Sequence, residues 1–240
     1  MTLALLFFGL AALVLLYLRF LAVPGVWRWL RAAEPGEDAV WREVKDCAMS
    51  VARRHRVAAP EIKVLPEFAP NAMALRHRGK TEIALTEGLV RAATAEELEA
   101  TISLCLFQSA QNGRRRQIWS GLLLFPIAKR VAQAPFAFRV LLMPVLSFGL
   151  RLVGGARGWF ASDAAAAEMH GPWQVAATLQ KISVMGRKIP VRRWNMALDS
   201  FFVIAPLSLD EGPQSIFSGV LPGQPSVPER RERLLRNLPT

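Results

Sequence analysis

Few residues in this chain combine a reactive type with a spacing that could do chemistry. The histidines are His55, His77 and His170, and no two of them stand at ligand spacing for a metal. Each reads as a surface or capping residue. Cys47 and Cys105 lie far apart with no C-x-x-C, each on an apolar helix face. That pattern reads as buried free thiols in a reducing compartment. Ser103 and Ser109 share a helix that carries no histidine to activate either one. There is no G-x-S-x-G, no P-loop and no Gly-rich dinucleotide fingerprint.

The elements that would have to position any site begin with an apolar run. Residues 1–18 carry no charged side chain, and with residues 20–23 the run reaches the roughly 20 residues of a bilayer span. A signal peptide would have a basic region before the apolar run and a small-residue cleavage site after it. Here the first basic residue is Arg19, after the run, so a retained anchor is expected. Arg19, Arg28 and Arg31 follow the span, which places the N-terminus outside and the body in the cytoplasm of a bacterial inner membrane. Trp27 and Trp29 would anchor the exit, and Pro24-Gly25 would break the helix there. The expected organisation is a transmembrane anchor at 1–23, a juxtamembrane linker at 24–37 and a body at 38–240.

Lys and Arg total 30 against 19 Asp and Glu, a net charge of +11, which suits either nucleic acid or an anionic membrane face. The span favours the membrane, and the basic residues form no recognisable nucleic-acid module. An Arg-rich composition could also account for the excess. The expected partners are membrane lipids and other membrane protein subunits, with no nucleic acid.

In the body, residues 38–57 read as an amphipathic helix and 61–65, 71–76 and 81–86 as strands. A helix over 95–111 follows, with Thr94 and Glu97 placed as a capping box and Asn112-Gly113 as its stop. The run Arg114-Arg115-Arg116 reads as a solvated loop or a clamp on lipid head groups. Residues 117–153 form either a membrane-associated hairpin or a buried helical pair. Pro126 and Arg139 interrupt the segment, and its uncharged core, 140–150, is short for a full span. Helices are expected again at 159–170 and 173–186, with a short charged one at 229–237.

Four motifs, in order, resemble those of the HtpX-like membrane zinc metallopeptidases, a gluzincin family. They are Pro60-Glu61-Ile62-Lys63-Val64-Leu65, Asn71-Ala72-Met73-Ala74, Ile83-Ala84-Leu85-Thr86-Glu87-Gly88-Leu89 and Glu96-Glu97-Leu98-Glu99-Ala100. The resemblance implies an α+β, mainly helical zincin-like fold with a small sheet, besides the transmembrane helix. It also implies a helix bearing H-E-x-x-H, whose histidines bind zinc and whose Glu is the general base. In that register Leu104 stands at the first His, Cys105 at the Glu and Gln108 at the second His. Trp159 stands where the third ligand would be, while Asp163 matches the Asp that follows it. Residues 216–218 and 225–230 are similar to the family's C-terminal motif, with Gln224 in place of a His and Arg230 at its Arg.

Leu104, Cys105, Gln108 and Trp159 are therefore degenerate positions. No metal, no cofactor and no enzymatic activity are expected, and Leu104, Phe107 and Trp159 would fill the vacated space. The resemblance further implies a peptide-binding strand edge at Asn71, Ala72, Met73 and Ala74, and it makes an Asp163–Arg230 ion pair a structural tie. The functional expectation is a protein-binding accessory, assembly or structural subunit of a membrane complex. The alternatives are a peptidase with a rebuilt site, for example from Cys105, Asp163 and His170, or a lipid-binding protein using residues 114–116 and 129–130.

Overall fold

The computed structural model describes residues 2–110, 112–135, 138, 142, 145, 157–189, 196–206 and 224–236. The chain begins with helix α1 (Thr2–Leu16), continues through a π-helical turn (Tyr17–Leu21) and ends this stretch in α2 (Ala22–Leu30). Leu6–Leu30, 25 residues long, is apolar and long enough to cross a membrane. Leu6, Phe7, Phe8, Leu10 and Leu13 project from α1, each more than 60% exposed. By contrast α2 buries Ala22, Val23, Val26, Trp27 and Leu30, a three-to-four residue spacing that lays one face on the body.

Three expectations change here. Pro24-Gly25 does not break the helix. The irregularity lies one turn earlier, where the Ala22 N–H reaches back to the Tyr17 carbonyl and loosens the turn facing the Pro24 ring. Trp27 is core rather than interfacial anchor, and Trp29 packs edge-on against Phe125 with ring centroids 5.6 Å apart. Residues 24–37 are not a free linker, because α2 is part of the packed body.

Next come α3 (Ala39–Arg54), capped by Asp38, and strands β1 (Glu61–Leu65), β2 (Ala72–His77) and β3 (Lys80–Thr86). The sheet order is β1-β3-β2, parallel between β1 and β3 and antiparallel between β2 and β3. Short α4 (Glu87–Ala92) leads into α5 (Ala95–Ala110). The capping box closes reciprocally: Thr94 N–H donates to Glu97 Oε2 at 2.8 Å, and Glu97 N–H to Thr94 Oγ1 at 3.3 Å.

Asn112-Gly113 does not end the helical run. A new helix, α6 (Asn112–Ala132), starts there, takes in Arg114-Arg115-Arg116 and continues through Pro126. Phe138, Leu142 and Val145 apart, the expected hairpin beyond Pro135 lies outside the described residues. The described chain resumes with α7 (Arg157–His170), α8 (Pro172–Lys188), a 3-10 turn (Met196–Phe201) and α9 (Val227–Arg236).

The described chain is thus mostly helical, with a three-stranded sheet and one apolar N-terminal helix. Two apolar cores lie on either side of the sheet. One joins α3, α5, α7, α8 and α9 through residues such as Ile83, Leu85, Leu104 and Leu179. The other joins α2, α6 and the 3-10 turn to Leu65, Met73, Leu75 and Ala84. Gly121 lets α6 approach that turn, since a Cβ there would lie 2.5 Å from the Ala197 carbonyl oxygen.

Candidate functional site

The densest polar arrangement is built around Arg230 of α9, which is fully buried. Its Nε donates to Asp163 Oδ2 at 2.8 Å and its Nη2 to Asp163 Oδ1 at 2.6 Å, a bidentate pair between α9 and α7. A third donor, Nη1, reaches the Val203 carbonyl at 2.6 Å. The guanidinium also lies over the Trp159 ring, 5.3 Å from its centroid. Trp159 and Asp163, one turn apart on α7, thus hold the same cation from two sides.

Val203 belongs to a strap, residues 202–205, that the surrounding side chains clamp. Asn71 Nδ2 donates to the Ile204 carbonyl at 2.7 Å, while Asn71 Oδ1 accepts from Ala72 N at 2.9 Å and Ile204 N at 3.3 Å. Gln224 Nε2 donates to the Val203 carbonyl at 2.7 Å, and Gln224 Oε1 accepts a short bond from Ala205 N. The strap runs along the outer edge of β2: Met73 bridges Phe202, and Val203 N donates to the Ala72 carbonyl at 2.7 Å.

This geometry corrects the expectation of an open binding edge at Asn71, Ala72, Met73 and Ala74. All four are buried, and the hydrogen-bonding edge they would offer a peptide is taken by the chain's own residues 202–204. An incoming peptide would have to displace the strap.

The middle of α5 is different in character. Leu104, Cys105 and Gln108 are buried, and Leu104 and Cys105 belong to the larger apolar core. Phe107 is only half-buried and stands edge-on to the His55 ring at 4.5 Å, so it does not fill the space expected of it. Both ends of the Gln108 amide are buried without a hydrogen-bond partner among the described residues. The expectation that apolar side chains fill the vacated space thus fails at Phe107, and the Gln108 amide stays buried beside them.

These positions do not fit the zinc that the resemblance implies. Leu104 has no donor, Trp159 faces a cation, and Cys105 alone among the four could supply a thiolate where zinc takes three or four donors. Among the described residues no group of three or more His, Cys, Asp or Glu could hold a metal ion.

A third cluster was not foreseen. Ser103 Oγ lies 2.7 Å from His170 Nε2 and 3.1 Å from His55 Nε2, joining α5 to the ends of α7 and α3. The serine lacks a histidine on its own helix but has two from other elements. Arg54 pairs with Glu99 at 2.5 Å on the same side of α5. Burial, then His170 and Arg54, hold His55 below its usual pKa. Burial and Arg54 do the same to His170, against the pull of Glu99. Both rings are therefore mainly neutral at pH 7, so the hydroxyl can donate to one Nε2 and accept from the other. Cys47 is pushed up to about 11, by burial and by Glu99 against Arg54, so it is an unreactive thiol at neutral pH.

Comparison with known proteins places the chain. It is 25% identical over 202 residues to a protein named "Protease HtpX homolog" from Thermococcus sibiricus, covering 74% of this chain and 69% of that protein. A "Protease HtpX homolog" from Pyrococcus abyssi is 24% identical over 205 residues, covering 77% of this chain and 69% of its own length. The chain is a distant relative of HtpX homologues. No protein-family model and no solved structure matches it. The relatives overturn one expectation directly. The four degenerate positions led to a chain that is not an enzyme, yet both HtpX homologues are named as proteases, which points to an enzyme family. The likeness runs over about three quarters of the chain, whereas that inference rested on four side chains.

Proposed function

We propose that this protein is a membrane-anchored HtpX-like protein with a zincin-like body, which works by contact with other membrane proteins in an assembly or accessory role. In this reading α5, which resembles the opening of the family's H-E-x-x-H helix, is the packed centre of the body and holds no zinc. The observation that carries the reading is the burial of Leu104, Cys105, Gln108 and Trp159, none more than 1% exposed. Arg19, Arg28 and Arg31 then put the body on the cytoplasmic side of the inner membrane, with residues 1–23 as the anchor and 117–153 as a membrane-associated hairpin.

Support for contact inside the membrane comes from α6. Trp119, Leu123 and Ile127 recur every four residues, are each more than 40% exposed, and form one apolar stripe. Tyr17 of the anchor donates to the Leu122 carbonyl at 3.2 Å, so this stripe begins at the level where the anchor leaves the body. The test is a photo-crosslinking residue at position 123 or 127, irradiated in intact cells. A defined crosslinked membrane protein is expected, and crosslinking to lipid alone would overturn the reading.

The relatives' names favour a second reading, in which the chain itself hydrolyses peptide bonds. The Ser103–His170 contact is the arrangement in its favour. Cleavage of an unfolded protein substrate by the purified full-length chain, abolished in Ser103→Ala, would establish it. Cleavage that survives that substitution would exclude this serine.

A further inference from the structure

A cavity of about 370 Å³ opens where the anchor leaves the body, between the π-helical turn, the tip of the β2–β3 hairpin and the first half of α6. It falls in the range of small-molecule sites, about 300–1,000 Å³. Its walls divide by chemistry. Val23, Trp119 and Leu122 supply an apolar side, and Arg19, Arg76 and Arg78 supply a cationic one. No Asp or Glu is among the described residues that line it. None of the three arginines has a carboxylate partner among the described residues.

The hairpin tip is held to the anchor. His77 Nε2 donates to the Arg19 carbonyl at 3.1 Å, and the guanidiniums of Arg78 and Arg19 lie 5.0 and 5.7 Å from the Phe20 ring centroid. Arg78 sits in left-handed backbone, φ 50°, and is followed by Gly79 at φ 85°. Two-residue hairpin turns with both φ positive favour Asn-Gly, because a Cβ with a long side chain is disfavoured there. An arginine holds that place at a conformational cost, and its side chain faces the cavity.

We propose that this cavity binds one anionic glycerophospholipid. The phosphate would sit among Arg19, Arg76 and Arg78, and the first carbons of the acyl chains would lie along Leu18 and Trp119 toward the exposed surface of α1. Charge complementarity selects the head group, and continuity with the apolar anchor selects a lipid over a soluble phosphate. The site rests on the reading of residues 1–23 as a membrane anchor; it meets α5 only at its last turn, Ser109 and Ala110, and shares no residue with the Arg230 clamp.

The experiment counts lipid adducts by native mass spectrometry on the full-length chain in neutral detergent. Phosphatidylglycerol, phosphatidylcholine and inorganic phosphate are added in separate arms. One phosphatidylglycerol per chain is expected to bind at least tenfold more tightly than phosphatidylcholine, with no adduct from phosphate. Each arginine near an anionic head group is worth about fivefold, so Arg76→Gln/Arg78→Asn should weaken phosphatidylglycerol about 25-fold. Because Asn suits the left-handed position, that variant should melt no lower than wild type. Arg187→Gln/Lys188→Gln removes the same charge from the exposed end of α8 and should bind as wild type.

Equal binding of the two lipids, equal loss in both variants, or tight binding of phosphate would each overturn the site. A chain that stays monomeric without detergent would instead overturn the anchor reading, which separates the two failures.

Discussion

Two regions that resemble the metallopeptidase motifs have gone opposite ways. Around Arg230 the buried polar side chains are partnered: Asp163 pairs with Arg230, and Arg230, Asn71 and Gln224 together bind the strap at residues 202–205. In the middle of α5, Leu104 and Cys105, which the resemblance matches to the first His and the Glu, lie in apolar packing, and the Gln108 amide has no partner among the described residues. The difference shows which polar groups a fold must keep. A buried charge is tolerable only with its partner, so Arg230 and Asp163 stand or fall together. A buried amide needs a partner as well, and in the apolar surroundings of α5 the Gln108 amide has none among the described residues.

The sharpest way to break this contrast is to remove half of the ion pair. Asp163→Ala should cost about 3–5 kcal/mol by denaturation of the full-length chain in detergent, because Arg230 would be left charged and buried. A loss below 1 kcal/mol would mean that water reaches the guanidinium freely. Asn71→Ala should cost about 2 kcal/mol and free residues 202–205, read as faster amide exchange at Val203 and Ile204.

In the other region the sign reverses. Gln108→Leu should raise stability by about 1–2 kcal/mol, since it removes an unpartnered buried amide at nearly constant volume. A destabilised Gln108→Leu would show that the amide has a partner that matters.

The smallest effect is expected from pH. His55 and His170 bind protons less readily folded than unfolded, so stability is full above the unfolded value of 6.5 and falls as pH drops below it. Ser103→Ala should lower stability by about 1 kcal/mol at pH 7. The double variant His55→Phe/His170→Phe should flatten the decline between pH 7 and 5, and an unchanged slope would assign it to other groups.

What the sequence revealed follows the range of the interactions. The Thr94–Glu97 capping box spans three residues and was readable directly, as were the strands, whose boundaries moved by only a residue or so. The apolar N-terminal helix was equally plain. Asp163 and Arg230, 67 positions apart, could be put together only through the family resemblance. The strap over β2 was not legible, because Asn71 and Ile204 are 133 positions apart and no local pattern marks residues 202–205 as the cover of an edge. Ser103 escaped for the same reason: each partner histidine sits alone at the end of another helix. Pro24 misled because a proline usually ends a helix, and here the π-helical turn before it absorbs the strain.

The most direct test of the central claim, that Leu104, Cys105, Gln108 and Trp159 pack as core and hold no zinc, is elemental analysis of the full-length chain purified without chelators or metal-affinity resin. Zinc well below one equivalent, unchanged in Cys105→Ser, is the expected result. One tightly held zinc per chain, lost in Cys105→Ser, would contradict it.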